Sequence, residues 1–303
     1  ALPASFLKYG DGLRAIFEEH PSDFGHNQPP GTYPARSYFT GDEMTYVDEW
    51  GCEWSMLHRG IMGQVKGHPL SDLGALENYR FPKLPEMRYS IGDGGNLFER
   101  MQWLRGFENL MLDLTTKRKE AYIIRDRIVD YNVEMIRRSL EFDVDGIGFA
   151  DDWGTQRGLM IKPSLWREFF KPAYSKMFAE VRKADKHIFF HSDGYIVDII
   201  PDFIELGVDV LSEAELQVNG IDELGDKFGG RICFLGNLDT QNILPFGSVD
   251  DVKEHVIHAI RALGCFDGGF IGDFEVHPDM PLCNVRAAFE AFAKYGRYPL
   301  ARM

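Results

Sequence analysis

Residues 187–215, HIFFHSDGYIVDIIPDFIELGVDVLSEAE, carry the pattern that decides the fold. An apolar run, HIFF, ends in imidazole and carboxylate groups. A segment of helical period follows, and then a second apolar run, VDVL, ends in SEAE. The same texture recurs on both sides: RYSIGDG at 88–94, VDGIGFADD at 144–152, RICFLGNLD at 231–239 and GGFIGDFE at 268–275. Each run passes from apolar residues into acidic, amide or imidazole groups. Longer segments of helical period lie between them, as in SVDDVKEHVIHAIRAL at 248–263. There Ser248 is placed to cap, Asp251 completes a capping-box-like pair, and Val252, Val256, Ile260 and Leu263 line one face. Strands alternating with helices predict a parallel sheet with helices outside it.

Working outward, five or six such units, with two less regular ones nearer the N-terminus, fit an α/β fold built as a single closed (β/α)8 TIM barrel. The predicted organisation is one domain over 1–303, with an irregular part at 1–86 and regular βα units at 87–303. In the irregular part, DEWGCEWSMLHRGIMGQVKGHPLSD (48–72) reads as short strands and hairpins, and YRFPKLPEM (79–87) as an extended connector whose prolines disfavour a helix. GDGGN at 92–96 lacks both the GxGxxG spacing and the Walker lysine, so its glycines read as sites of close backbone approach.

At 303 residues, 44% hydrophobic and 26% charged, the chain can hide roughly three quarters of its unfolded surface, which rules out disorder as the main state. Thirty-three Lys plus Arg against 47 Asp plus Glu leave a net charge of −14. That balance opposes binding to nucleic acid or to an anionic membrane. No stretch approaches the ~18 apolar residues of a membrane span, and ALPASFLKYGDG has no signal-peptide pattern, so a soluble, cytoplasmic protein is expected. Cys52, Cys233, Cys265 and Cys283 form no CxxC pair, which fits a reducing compartment. Cys233 and Cys265 read as small apolar fillers, and Cys283 sits where a helix begins.

In a barrel the active site lies at the C-terminal ends of the strands. Asp151 and Asp152, His191 and Asp193, Glu213 and Glu215, Asn237 and Asp239, and Asp273 and Glu275 would all stand at that mouth. A ring of carboxylates around an imidazole calls for a compensating cation. His191 and Asp193, two apart, share one side of a strand. With Glu275 as first choice for a third ligand and Glu213 as second, they make a three-ligand site suited to zinc, leaving a position for substrate. The competing reading makes His191 an ordinary buried histidine and Asp193 a helix cap. In ADDWGTQRG the paired carboxylates Asp151 and Asp152, with Gln156, suit substrate orientation or proton transfer, as does Glu213. Asn237 and Asp239 offer amide and carboxylate chemistry for a heteroaromatic or hydroxylated ligand. His277, before Pro278, reads as a loop residue.

Four segments taken together, DDWGTQRGLMIKPSLWREFFKPAY (151–174), HSDGYIVDIIPDFIELGVDVLSEAE (191–215), FGGRICFLGNLDTQNILPFGSVDDV (228–252) and HPDMPLCNVRAAFEAF (277–292), resemble the uroporphyrinogen decarboxylase superfamily. The resemblance runs from about residue 45 to about residue 300, with order and spacing kept. It implies a single (β/α)8 barrel and one of two chemistries: cofactor-free decarboxylation of a porphyrinogen, or zinc-assisted methyl transfer to or from a corrinoid protein. The decarboxylases carry an arginine-rich N-terminal segment for the substrate carboxylates, and this sequence has none.

In the coenzyme M methyltransferases the strand of His191 bears a His-x-Cys pair, and a late cysteine precedes the final helix. Here Asp193 stands for the first cysteine, and the late position falls near Phe274 or Glu275. Carboxylates make zinc a harder Lewis acid, matched to an ether oxygen rather than a thiolate. The resemblance therefore implies an O-demethylase type of methyltransferase that takes methyl from a methoxylated, aromatic small molecule and passes it to the Co(I) of a corrinoid (cobalamin) protein partner. Phe149, Trp153 and Tyr195 would wall such an arene, with core packing as the competing use. A metal-free decarboxylase or lyase and a non-catalytic ligand-binding barrel stay open as alternatives, as do monomer and homodimer.

Overall fold

The computed structural model describes residues 3–24, 45–47, 51–55, 64–80, 89–213 and 216–300. The connector beyond Arg80 and Glu215 lie outside the described residues, as does the side chain of Glu213. Contacts divide the chain into two compact units: Ala1–Arg88 with Val276–Pro278, and Tyr89–Glu275 with Asp279–Met303. The first division falls within two residues of the change in sequence texture at residue 87.

In the first unit, α1 (Pro3–Tyr9) and α2 (Asp11–Glu19) precede β1 (Thr45–Val47), β2 (Glu53–Ser55) and β3 (Gln64–Gly67). The strands form an antiparallel sheet in the order β1-β2-β3. The short strands were expected and the two helices were not. Gly10, at φ +49°, separates α1 from α2, and α2 buries Leu13 and Ile16, three apart on one face. Ser5 Oγ donates to the Val276 carbonyl at 2.7 Å, which holds the 276–278 segment to this unit. His277 lies in that segment, flanked by Pro278, as a loop residue.

The second unit runs β4 (Ile91–Asp93), α3 (Phe98–Arg105), α4 (Phe107–Thr115), α5 (Lys119–Leu140), β5 (Gly146–Ala150), β6 (Gly154–Thr155), β7 (Gly158–Leu159), α6 (Pro163–Phe169), α7 (Lys171–Lys183), β8 (His187–Ser192), α8 (Ile200–Leu206), β9 (Val210–Glu213), α9 (Leu216–Asn219), α10 (Ile221–Phe228), β10 (Cys233–Asn237), α11 (Ile243–Phe246), α12 (Val249–Gly264), β11 (Phe270–Asp273) and α13 (Leu282–Tyr295). Its main sheet is parallel, in the order β4-β5-β8-β9-β10-β11, so spatial order follows chain order. That is the strand order of a (β/α)8 barrel. All six strands predicted from sequence are present, each inside its predicted window. No helix among the described residues is long and apolar enough to cross a membrane.

Alternation fixes the two faces of the sheet. On β5, Ile147 and Phe149 are buried, and Phe149 meets the Phe178 ring of α7 at 4.8 Å. On β8, Phe190 turns the same way, against Tyr174, Phe178 and Phe203. Gly148 and Ala150 of β5, with Phe189 and His191 of β8, therefore take the face away from the helices, and they are partners in register. At the opposite strand ends, Asp145 Oδ2 accepts from Ser90 N and Asp209 Oδ2 from Ile188 N, both at 2.7 Å. These carboxylates sit at the N-terminal face, which in barrels serves stability. The α12 capping box forms as read, and Val252, Val256, Ile260 and Leu263 are all buried. Burying each such side chain contributes about 1.5–3 kcal/mol. Cys233 is half-buried, and burial pushes its thiol up to about 11. Cys265 is exposed and is not the core filler expected of it, because it follows the end of α12, where the chain turns over the surface.

Candidate metal centre

The ends of β5 and β8 continue side by side past their last strand residues. Asp151 N donates to the His191 carbonyl (3.1 Å), Gly154 N to the Asp193 carbonyl (3.0 Å) and Tyr195 N to the Thr155 carbonyl (2.9 Å). Two glycines permit this approach. A Cβ on Gly154 would lie 2.7 Å from the Asp193 carbonyl oxygen, and one on Gly194, at φ +77°, would run into the Gly154 backbone. The sequence patterns DDWG and HSDG are thus two halves of one arrangement, each with glycine where the other's backbone passes.

The consequence is a cluster of Asp152, His191 and Asp193, whose ligand atoms lie within 4.8 Å of one another. His191 Nε2 is 3.5 Å from Asp193 Oδ1 and 3.8 Å from Asp152 Oδ1. The other ring nitrogen, Nδ1, faces Ser212 Oγ of β9 at 3.4 Å, and His191 and Ser212 are register partners. A histidine held through Nδ1 presents Nε2 to a cation. Asp193 N donates to Asp152 Oδ1 at 3.0 Å, which fixes one carboxylate against the other's backbone. All three side chains are part-exposed, so the cluster is reachable from solvent.

The donor set fits a zinc ion. Bonds of about 2.0–2.1 Å in tetrahedral array put neighbouring donor atoms about 3.4 Å apart, close to the 3.5 and 3.8 Å that separate His191 Nε2 from the two carboxylates. One imidazole and two carboxylates leave a coordination position over. His191 and Asp193, read from sequence as ligands, are thereby brought together, but the third member is Asp152. Glu275 does not join the cluster; its backbone N–H donates to Asn237 Oδ1 at 3.1 Å, beyond the end of β11 at the far side of the strand order. The backbone of Glu213 ends β9 in register with Ser192 and Gly236.

Asp151 goes the other way from Asp152. It is 1% exposed and accepts from Leu97 N (2.8 Å), Glu99 N (2.8 Å) and the Tyr174 hydroxyl (2.6 Å). Its carboxylate caps α3 from 53 positions downstream, where the local N-cap, Leu97, has no side-chain acceptor. Burial pushes its pKa up to about 7, against the pull of those three donors. Burial and Asp151 raise Tyr174 well above the usual phenol range.

Trp153, read as a wall for an arene, is fully buried. It stacks on Phe98 at 4.1 Å and meets Phe170 edge-on at 4.6 Å, because its backbone N–H is drawn in to Ser192 Oγ (3.0 Å). It supports the site from beneath as part of the core. Phe149 packs on α7 on the helix-facing side. Gln156 is exposed at the turn between β6 and β7. Tyr195 is part-exposed beside Gly194, its phenol raised by burial and by Asp198.

Asn237 spends its carbonyl on Glu275 N. Asp239 Oδ1 accepts from Gln241 N and Asn242 N, which makes it a turn former ahead of α11. The Asp239 N–H donates in turn to Nε2 of the buried His255 (3.1 Å), a residue sequence reasoning passed over. Burial lowers the His255 pKa, which keeps Nε2 an acceptor. Its one sequence signal is a histidine at 255, adjacent to Val256 on the apolar face of an otherwise regular amphipathic helix. Asp93 Oδ1 accepts from Gly95 N (2.8 Å), and Gly94 packs on the Phe149 ring, so GDGGN serves close backbone approach as expected.

Comparison with known proteins comes to three findings. A profile of the uroporphyrinogen decarboxylase (URO-D) family matches residues 100–295. Among solved structures, a methyltransferase from Methanosarcina mazei is similar with a TM-score of 0.56 at 19% identity, over 82% of this chain and 77% of that one. A dihydropteroate synthase from Vibrio fischeri (TM-score 0.36, 13% identity, 55% of this chain and 65% of that one) and Yersinia pestis DHPS (0.35, 12%, 55% and 62%) are too remote to carry an argument. No curated protein sequence matches the chain. The likeness to the M. mazei structure supports the fold, and the profile spans all the main-sheet strands but β4. This chain belongs to the uroporphyrinogen decarboxylase (URO-D) family.

Proposed function

We propose that the protein is a cytoplasmic, zinc-dependent methyltransferase of the O-demethylase type, which takes methyl from a methoxylated aromatic small molecule and hands it to a corrinoid protein. One observation carries this reading: Asp152, His191 and Asp193 converge at the C-terminal ends of neighbouring strands. A bound zinc ion there would supply a Lewis acid for the ether oxygen, whose departure as phenolate is otherwise slow. His191 would hold the ion through Nε2, with Ser212 setting the ring orientation, and Asp152 and Asp193 would supply the carboxylates. Two carboxylates beside one imidazole would keep a bound ion hard and favour oxygen over sulfur as its substrate ligand. In such a transfer the electron pair of the O–CH3 bond would stay on the oxygen, and the methyl would leave to the Co(I) of the partner protein. The proposed roles of Tyr195 and Gln156 are to border the entrance.

Elemental mass spectrometry on protein purified without chelator tests the reading. About one zinc per chain is expected, lost in His191→Ala and Asp193→Ala. Demethylation of methoxyarenes should need both zinc and a Co(I) corrinoid. No zinc, even after zinc is offered, would overturn the proposal and bring forward a metal-free decarboxylase, the activity in the family's name.

A further inference from the structure

Past the end of β8 the chain turns through Asp193, Gly194, Tyr195 and Ile196, and this turn is held from two sides. From the β5 side, Asp152 Oδ1 accepts from Asp193 N (3.0 Å), Gly154 N donates to the Asp193 carbonyl (3.0 Å) and the Thr155 carbonyl accepts from Tyr195 N (2.9 Å). From the opposite side comes the side chain of Asn219, the last residue of α9. Its Nδ2 donates to the Gly194 carbonyl and its Oδ1 accepts from Ile196 N, both at 2.8 Å. One amide thus spans Tyr195 and closes on the residue at either side of it. The register between β8 and β9 stops at Ser192 and Glu213, and beyond it Asn219 takes the place that a strand would have on that side.

Asn219 is 1% exposed and Ile196 is fully buried. A buried amide that meets backbone at both ends is held in one orientation, because turning either end away would leave a donor and an acceptor unpaired. The short helix that carries it is held in turn: Leu216 is fully buried, and the Gln217 amide lies 3.1 Å from Nδ1 of the buried His255 on α12. The clamp is therefore anchored to the packed helices. Gly194 lies between Asp193 and the clamp, at φ +77° and with no Cβ to restrain its backbone. With Asp193 N tied at one end and the Gly194 carbonyl at the other, the torsions that aim the Asp193 carboxylate are fixed. Partners that orient a ligand in this way weigh about 10–100-fold in metal affinity. We propose that Asn219 is a positioning residue for the metal centre, an amide clamp that holds the 193–196 turn from the α9 side and so keeps Asp193 beside His191 and Asp152. The inference rests on the zinc reading of that cluster.

Calorimetric zinc titration of the full chain tests this, with circular dichroism as the check on folding. Asn219→Ala should bind zinc at least about tenfold more weakly than the wild type. Asn219→Asp serves where the alanine variant does not fold: it keeps an acceptor for Ile196 N, sets a carboxylate oxygen against the Gly194 carbonyl, and should weaken zinc as well. Asn284→Ala is the matched control. Asn284 is 2% exposed and its Nδ2 donates to the Leu244 and Gly247 carbonyls (3.0 and 2.8 Å), so its loss removes a comparable pair of buried hydrogen bonds and should leave zinc affinity at the wild-type value. Cobalt(II) in place of zinc should absorb more weakly in the visible in Asn219→Ala, as water replaces Asp193 and the coordination number rises. Wild-type affinity in the Asn219 variants overturns the proposal, as do unchanged cobalt bands or an equal loss in Asn284→Ala. A wild type that binds no zinc overturns the zinc reading itself and this inference with it, so the wild-type titration tells the two failures apart.

Discussion

Asp151→Asn isolates the one carboxylate that the fold has taken out of water beside the proposed metal centre. Its folded pKa, pushed by burial up to about 7, stands about three units above its ordinary 3.8. At 1.36 kcal/mol per unit, keeping Asp151 ionised in the folded state costs about 4 kcal/mol relative to the unfolded chain. Below pH 4 the group is protonated in both states and the cost vanishes. Between about pH 4 and 7 the folded state binds the extra proton, so this group's contribution makes stability fall as pH rises. Asparagine has the same shape and no charge to desolvate. It keeps one oxygen for Leu97 N or Glu99 N but turns an amide toward the other, at a pH-independent cost of about 1–3 kcal/mol for a buried donor left unpaired. Every other titrating group is common to both proteins, so the difference between them reports Asp151.

Urea unfolding followed by circular dichroism from pH 4 to 8 is the assay. The stability difference should move in favour of the variant by about 4 kcal/mol across that range. A flat difference, or one moving toward the wild type as pH rises, would refute the reasoning. It would mean that the donors at 2.6–2.8 Å outweigh burial and hold the carboxylate ionised in the fold.

Asp202 should give the opposite sign. Burial raises it, but hydrogen bonds from Arg167 (2.9 Å) and Lys171 (2.8 Å) outweigh burial and hold it below the ordinary carboxylate value. Asp202→Asn should therefore cost about 1.5–3 kcal/mol at pH 7, and the deficit should close as pH falls through the depressed value, as read by the same titration. Gly194→Ala puts a Cβ into the Gly154 backbone at a positive φ and should destabilise by about 2–4 kcal/mol while parting Asp152 from Asp193. Calorimetric zinc titration should then show at least tenfold weaker binding, and unchanged affinity would argue against the glycine contact as the device that assembles the site. Ser212→Ala should leave thermal stability nearly unchanged yet weaken zinc about tenfold by releasing the His191 ring; equal affinity would remove Ser212 from the site.

The strands are more legible in the sequence than the site is, for a physical reason. A strand such as HIFFHS announces itself within six residues, because the alternation and the polar end are local. The pair His191 and Asp193 is equally local, two positions apart on one strand. The third carboxylate is not. Choosing Asp152 over Glu275 requires knowing that β5 and β8 are neighbours and that Ala150 stands opposite His191, whereas β11 lies three places from β8 in the strand order. Nothing in residues 268–275 carries that information.

The roles of Asp151 and Asp152, identical residues in adjacent positions, were within reach by another route. Bulk on β5 falls on Ile147 and Phe149, and Gly146, Gly148 and Ala150 alternate with them. Parity then assigns Asp151 to the side of the bulky residues, where helices must pack, and Asp152 to the side of the small ones, where room is left. The same parity on β8 puts Ile188, Phe190 and Ser192 against the helices and His191 and Asp193 on the other side. Applied to both strands, the rule removes Asp151 from the catalytic set, turns Trp153 into the core beside Ser192, and puts Asp152, His191 and Asp193 on one face of the sheet; that they meet there follows only once β5 and β8 are paired.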